Sequence, residues 1–151
     1  MISWTRIGSG NAWLALDRNG NGTIDDASEL FGDATPQPLP PKGQGRNGFL
    51  ALAVFDRPEN GGNGDGVIDA RDAVFSRLRL WHDRNHNGLS ESNELLTLTS
   101  VNIRGFKLQY EDSRRKDEFG NAFRYRAEVL LDDDAQAGRW AWDVFLKVLS
   151  Q

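Results

Sequence analysis

The sequence predicts an α+β fold in which oxygen-rich loops, flanked by short helices, pack against an antiparallel β-sheet. Three observations carry that prediction. Asp17-Arg-Asn-Gly-Asn-Gly-Thr-Ile-Asp25 sets oxygen-bearing side chains at alternate positions around a glycine, and the pattern returns at residues 63–69 and 83–91. Phe49, Leu52 and Phe55 recur at helical spacing between the loops. After residue 98 the apolar period becomes two, the spacing of half-buried strands.

The loop spacing is that of an EF-hand-like calcium loop, in which a hard cation takes oxygen donors from alternate positions and a glycine makes the sharp turn. In the first loop Asp17, Asn19 and Asn21 hold the first, third and fifth positions, Thr23 offers its carbonyl and Asp25 is ninth. The twelfth position is Ser28, where an EF-hand places a bidentate Glu; Glu29 follows one step later and is expected to close the site from a short helix over residues 29–31. In the second loop Asn63, Asp65, the Val67 carbonyl, Asp69 and Asp72 fill the third, fifth, seventh, ninth and twelfth positions. The first position then falls on Gly61. Asp56 can take it only if residues 57–62 loop outward, which Gly61-Gly62 permits. The third loop has the most regular spacing, with Asp83, Asn85, Asn87, the Leu89 carbonyl, Glu91 and Glu94. Two to three calcium ions are expected. Ile24 and Ile68 sit eighth in their loops and suit the small β-bridge that joins paired hands. Ser90, eighth in the third loop, does not, and is expected to cap a helix over residues 91–96.

Along the chain, residues 2–16 read as a β-hairpin broken by Gly8-Ser-Gly-Asn11. Residues 35–45 carry four prolines and read as a surface connector, with a proline-rich ligand as the alternative. Residues 47–56 read as a helix capped by Asn47, and residues 69–77 as the helix leaving the second loop. Residues 78–81 are extended. Residues 106–110, 123–131 and 140–148 read as strands, the last with a helical stripe as its alternative; residues 112–121 and 132–138 are the turns between them.

Composition narrows the function. The chain has 151 residues and a net charge of -4, with 18 basic and 22 acidic residues. Ten of the acidic residues are candidate ligands of the three loops, leaving 12 others against the 18 basic ones. The negative charge is therefore concentrated where a cation would bind. No Lys/Arg tract marks a nucleic-acid surface, and no apolar run reaches membrane-span length. Cysteine is absent, which excludes disulfides, thiol catalysis and Cys-type zinc sites. His82 and His86 read as surface residues beside a calcium loop, because calcium prefers oxygen. No Ser-His-Asp cluster is visible. A single monomeric domain is expected, with a three-loop part over residues 1–97 and a β-rich part over 98–151. No signal peptide is visible, and the abrupt first strand suggests that the natural chain continues upstream.

The series Asp17 to Asp25, Glu29-Leu-Phe-Gly-Asp33, Asn47-Gly-Phe-Leu-Ala-Leu52, Gly64-Asp-Gly-Val-Ile-Asp69, Leu78-Arg-Leu-Trp-His-Asp83 and Glu94-Leu95 resembles calcium-binding domains of large secreted bacterial RTX-type proteins. It is most similar to the self-processing module of iron-regulated RTX proteins, over about residues 13 to 110. The resemblance implies a module that calcium folds outside the cell, joined to adjacent domains of a larger secreted or cell-surface protein. It also implies a reaction: calcium-dependent cleavage of an Asp-Pro bond just upstream, after which the aspartyl group can join a lysine amine. This sequence departs from the pattern in two ways. It contains no Asp-Pro, since its prolines follow Thr35, Gln37, Leu39, Pro40 and Arg57, and it carries the insertion after Asp56. The expected function is thus a non-enzymatic calcium-binding module, with self-processing of an upstream bond as the alternative. A calmodulin-like sensor is disfavoured because Met1 is the sole methionine.

Overall fold

A computed structural model describes residues 2–5, 11–33, 35–82, 89–116, 120–132 and 140–145. Nine strands dominate it: β1 (Ile2–Thr5), β2 (Asn11–Leu16), β3 (Val67–Asp69), β4 (Leu78–Trp81), β5 (Leu95–Thr97), β6 (Ile103–Lys107), β7 (Glu111–Lys116), β8 (Ala122–Leu131) and β9 (Trp140–Phe145). The one α-helix among the described residues is α1 (Gly48–Ala53). Neighbours run in the order β3-β6-β8-β9-β1-β2-β4-β5, with β7 also paired to β8. Every pairing is antiparallel.

The predicted α+β fold with EF-hand-like helices is therefore corrected to a mostly antiparallel β fold. The reasons are local. Loop one is entered from strand β2, whose Leu14 and Leu16 are buried against the core. The expected helix over 69–77 is a turn followed by a single 3₁₀ turn, Phe75–Arg77. It stops there because Leu78 and Leu80 alternate into the core as β4, held between β2 and β5. The expected helix over 91–96 shrinks to the 3₁₀ turn Ser92–Glu94, and Leu95 to Thr97 join β4 instead. Helix α1 ends three residues early, and Val54–Asp56 tighten into a 3₁₀ turn. Pro58 disfavours helical backbone at Arg57, so the helix cannot run on. Asn47 caps α1 as expected, its side chain accepting from the Leu50 N–H at 2.9 Å.

The hairpin of β1 and β2, the connector over 35–45 and the strand reading of residues 140–145 agree with expectation. The strand expected from residue 106 begins earlier, at Ile103. Residues 112–116, read as part of a turn, belong to strand β7 (Glu111–Lys116) instead. Its side chains are mostly exposed, so it lacks the apolar alternation that sequence reading relies on.

The main core runs across the sheet and under α1. It joins Leu14, Leu16, Phe31, Phe49, Leu52, Ile68, Leu78, Leu80, Phe106 and Tyr125. A small second cluster of Ala15, Ile24 and Leu30 lies under loop one, with Trp13, Trp81 and Leu95 packed against it. Asp143 of β9 is fully buried, and its carboxylate accepts the Gly48 N–H at the start of α1 at 2.7 Å. Burial raises its pKa above the ordinary 3.8, and the nearby Asp33 charge adds to the rise. The unfolded chain then ionises first as pH rises, so this group's contribution to stability is full below about 3.8 and falls up to its folded pKa. Asp143→Asn keeps an acceptor for Gly48, and it gains stability over the wild type as pH rises from 4 to 7. Paired urea denaturation across that range checks the direction; a constant difference between the two proteins would contradict it.

Candidate metal centre

Asp56, Asp65 and Asp72 converge from separate turns, and one carboxylate oxygen from each lies within 4.8 Å of the others. The inserted residues make this possible. Pro58–Asn60 form a 3₁₀ turn, Gly61 closes it in the left-handed conformation (φ 88°), and the chain folds back onto Asp56. Asn60 fixes the turn by donating to the Val54 carbonyl, and the Gly64 N–H reaches the Asp56 carbonyl at 2.7 Å. The insertion is thus an external bump, and Asp56 stands where an uninterrupted loop would have its first ligand.

The three carboxylates are held by backbone N–H groups. Asp56 accepts from Gly66 at 2.9 Å through one oxygen. Its other oxygen, Oδ1, is buried with no hydrogen-bond partner. Asp72, 2% exposed, accepts from Asn63 at 3.2 Å and from Asp69 at 2.9 Å. Burial pushes its carboxyl above the usual range, and the Asp56 and Asp69 charges add to the push. Asp65 accepts from Val67 at 3.0 Å. Outside this trio, the exposed Arg71 guanidinium clasps Asp65 at 2.6 Å and Asp69 at 2.8 Å. This pairing holds the Asp69 carboxyl below its usual range. Sequence reading missed Arg71; a basic residue one place before the loop's last carboxylate is the signal that would have found it.

A buried carboxylate oxygen without a partner is costly, and buried carboxylates facing one another add repulsion. A hard divalent cation removes both costs, and the donors here are all oxygen. The residues therefore fit calcium. Asp56, Asp65 and Asp72 would hold it, with Asn63, the Val67 carbonyl and Asp69 at hand on the same loop.

Loop one is organised differently. Both Asp17 oxygens are turned into the loop, accepting from Gly20 and Gly22 at 2.9 and 2.7 Å. Asn19 and Asn21 donate to one oxygen of Asp25, and Thr23 donates to the other. These donors lower the Asp25 pKa. Glu29 comes not from an α-helix but from a 3₁₀ turn, and its carboxylate bridges the Arg18 and Asp25 N–H groups at 2.9 and 2.7 Å. It thereby straps the loop's exit to its entrance. Among the described residues, the carboxylates of Asp17, Asp25 and Glu29 do not converge as those of loop two do.

Asp83, Asn85 and Asn87 of loop three lie outside the described residues, as does His86. Leu89 is exposed, while Glu91 and Glu94 form a reciprocal capping box over their 3₁₀ turn. The expected Ile24–Ile68 bridge is absent. Ile68 pairs with Phe106 on β6, because strand β3 is claimed by the sheet. Ile24 is joined instead to Ser90, whose hydroxyl accepts the Ile24 N–H at 2.6 Å and donates to the Ile24 carbonyl at 3.4 Å. Ser90 thus bridges two loops rather than capping a helix. Ser90→Ala leaves the buried Ile24 N–H without an acceptor and costs about 1–3 kcal/mol. Urea denaturation gives the cost, and faster hydrogen exchange at the Ile24 amide locates it. Unchanged exchange there would count against the bridge.

The SPM domain model matches residues 2–147 of the chain. The chain is also 37% identical over 131 residues to iron-regulated protein FrpA of Neisseria meningitidis serogroup C. That alignment covers 87% of this chain and 11% of the relative, so the chain spans a small part of that protein's length. No helix among the described residues is long and apolar enough to cross a membrane. With a family match over nearly its whole length, the chain belongs to the SPM domain family.

Proposed function

We propose that this chain is a calcium-binding structural module of a larger secreted bacterial protein, folding when it meets calcium outside the cell. The observation that carries the proposal is the buried, unpartnered Asp56 Oδ1 within a trio of carboxylates. Such an arrangement opposes folding until a cation enters, so binding energy becomes folding energy. At a calcium level about 100-fold above the dissociation constant, each site adds roughly 2.7 kcal/mol. The low-calcium cytosol would then leave the chain loose, and calcium-rich surroundings would set it. Two to three ions are proposed, with loop two the best-formed site among the described residues. The test is a thermal melt in calcium and in chelator. A large, reversible rise in Tm with calcium is expected; identical melts and identical circular dichroism would sink the proposal.

A second reading is favoured by the placement of β1. It lies inside the sheet, paired to β9 on one side and β2 on the other, and the Ile2 N–H donates to the Phe31 carbonyl. In a longer protein, the polypeptide before Ile2 would be positioned by the folded module. That suits calcium-gated processing of an upstream Asp-Pro bond, a bond absent from this sequence. Fusing an Asp-Pro peptide ahead of the chain tests it. Cleavage in calcium but not in chelator supports the reading, and an intact fusion after days in calcium eliminates it.

A further inference from the structure

Loop one also forms one side of a cleft whose arginines a cation site does not use. The cleft, of about 460 Å³, opens between this loop and residues 76–79, lined by Arg18, Arg77 and Arg79 together with Ile24, Leu95 and Asp17. Arg18 stands on the loop side of the cleft and Arg77 and Arg79 on the opposite side, and like charges so placed favour an anion between them. The Arg18 pKa is lowered by burial; the Glu29 charge opposes that shift, and the Arg77 charge adds to it by a smaller amount. None of the three forms an ion pair with a carboxylate among the described residues. Asp17, the carboxylate on the wall, has turned its oxygens into its own loop to accept Gly20, Asn21 and Gly22 N–H groups.

Two of the guanidiniums are fixed in place. Arg18 donates to the Ser28 carbonyl at 3.0 Å and lies over the Phe55 ring. Arg79 donates through Nη1 to the Ser76 and Leu78 carbonyls at 2.7 and 2.9 Å. A guanidinium has five N–H donors, so both keep most of theirs while their orientation is set. Arg77 is exposed, and its guanidinium makes no hydrogen bond with any described residue. Preset, unused donors are what planar oxyanions bind in two-pronged fashion.

We propose that this cleft binds an acidic peptide segment, with side-chain carboxylates on the arginines and aliphatic groups on Ile24 and Leu95. A nucleic acid fits poorly, since the cationic surface is short and the chain's net charge is -4. The cleft shares Asp17 and Asn19 with the loop-one calcium reading, but the peptide contacts proposed use only the arginines, Ile24 and Leu95.

Titration calorimetry on the full chain tests it, with a capped Glu-Leu-Glu-Leu peptide as ligand and inorganic phosphate and a capped Gln-Leu-Gln-Leu peptide as comparisons. The Glu peptide is expected to bind, and the Gln peptide is not. Arg77→Gln should weaken binding about tenfold, the scale of one charge-assisted hydrogen bond. Arg77 supports no described contact, so that variant keeps the fold, which circular dichroism verifies. Arg114→Gln, an exposed arginine outside the cleft, should leave affinity unchanged. Equal weakening by Arg114→Gln, binding of the Gln peptide, or phosphate binding as tightly as the Glu peptide would overturn the proposal.

Discussion

Asp56→Asn stabilises the chain in chelator and destabilises it in saturating calcium, each relative to the wild type. The opposite signs follow from the two oxygens of one side chain. Oδ2 accepts the Gly66 N–H, and an asparagine oxygen keeps that bond. Oδ1 is buried without a partner, and one oxygen of the Asp56 carboxylate lies within 4.8 Å of oxygens of Asp65 and Asp72. An amide nitrogen placed there becomes a donor among acceptors and removes one negative charge. An unsatisfied buried acceptor costs about 1–3 kcal/mol, so relief of about 1 kcal/mol is expected without calcium. With calcium the balance reverses. The wild type gains roughly 2.7 kcal/mol from a site held at 100 times its dissociation constant, and the variant forgoes most of that gain. Urea denaturation midpoints in chelator and in calcium give both numbers. A variant weakened equally under the two conditions would show Asp56 to be an ordinary structural carboxylate.

What could be read from the sequence was the local loop pattern; what could not was which elements carry it. The alternating oxygens and glycines of residues 17–25 and 63–69 are local patterns, and both segments form compact turns. The helices expected around them depended on propensity. That is a weak guide when Leu78, Leu80 and their neighbours gain more by entering a sheet. Register across the sheet is a long-range property, so nothing local could show that Ile68 would meet Phe106 and Ile24 would meet Ser90. Serine at the eighth loop position looked unfit for a bridge between backbones. Its side chain makes that bridge in place of its backbone. Regular spacing and convergence of carboxylates do not go together here. Loop one has the more regular spacing, yet its carboxylates are occupied by their own N–H groups and amides. Loop two is interrupted, yet its carboxylates converge. Spacing along a chain measures distance in space only when the intervening residues follow the loop, and residues 57–62 fold out of it.

That external turn makes Gly62 the most sensitive glycine at the site. Gly62→Ala is expected to cost about 2–4 kcal/mol and to remove most of the calcium-dependent gain from loop two. A β-carbon at position 62 would lie 2.2 Å from the carbonyl carbon and oxygen of Asp56. Carbon atoms rest about 3.5–4.0 Å apart, so the two backbone segments must separate by more than an ångström. No side chain can swing aside to relieve this, since the obstacle is backbone. Separation breaks the 2.7 Å bond from the Gly64 N–H to the Asp56 carbonyl and withdraws Asp56 from Asp65 and Asp72. Gly43→Ala is the proper comparison. Gly43 has a left-handed φ of 85° and open space around it, so a β-carbon there meets only backbone strain. Its cost is about 1–2 kcal/mol, with the calcium response untouched. Denaturation of both variants in calcium and in chelator separates the effects. If Gly62→Ala is as mild as Gly43→Ala and retains its calcium gain, the turn over residues 57–62 is not what brings Asp56 to the site.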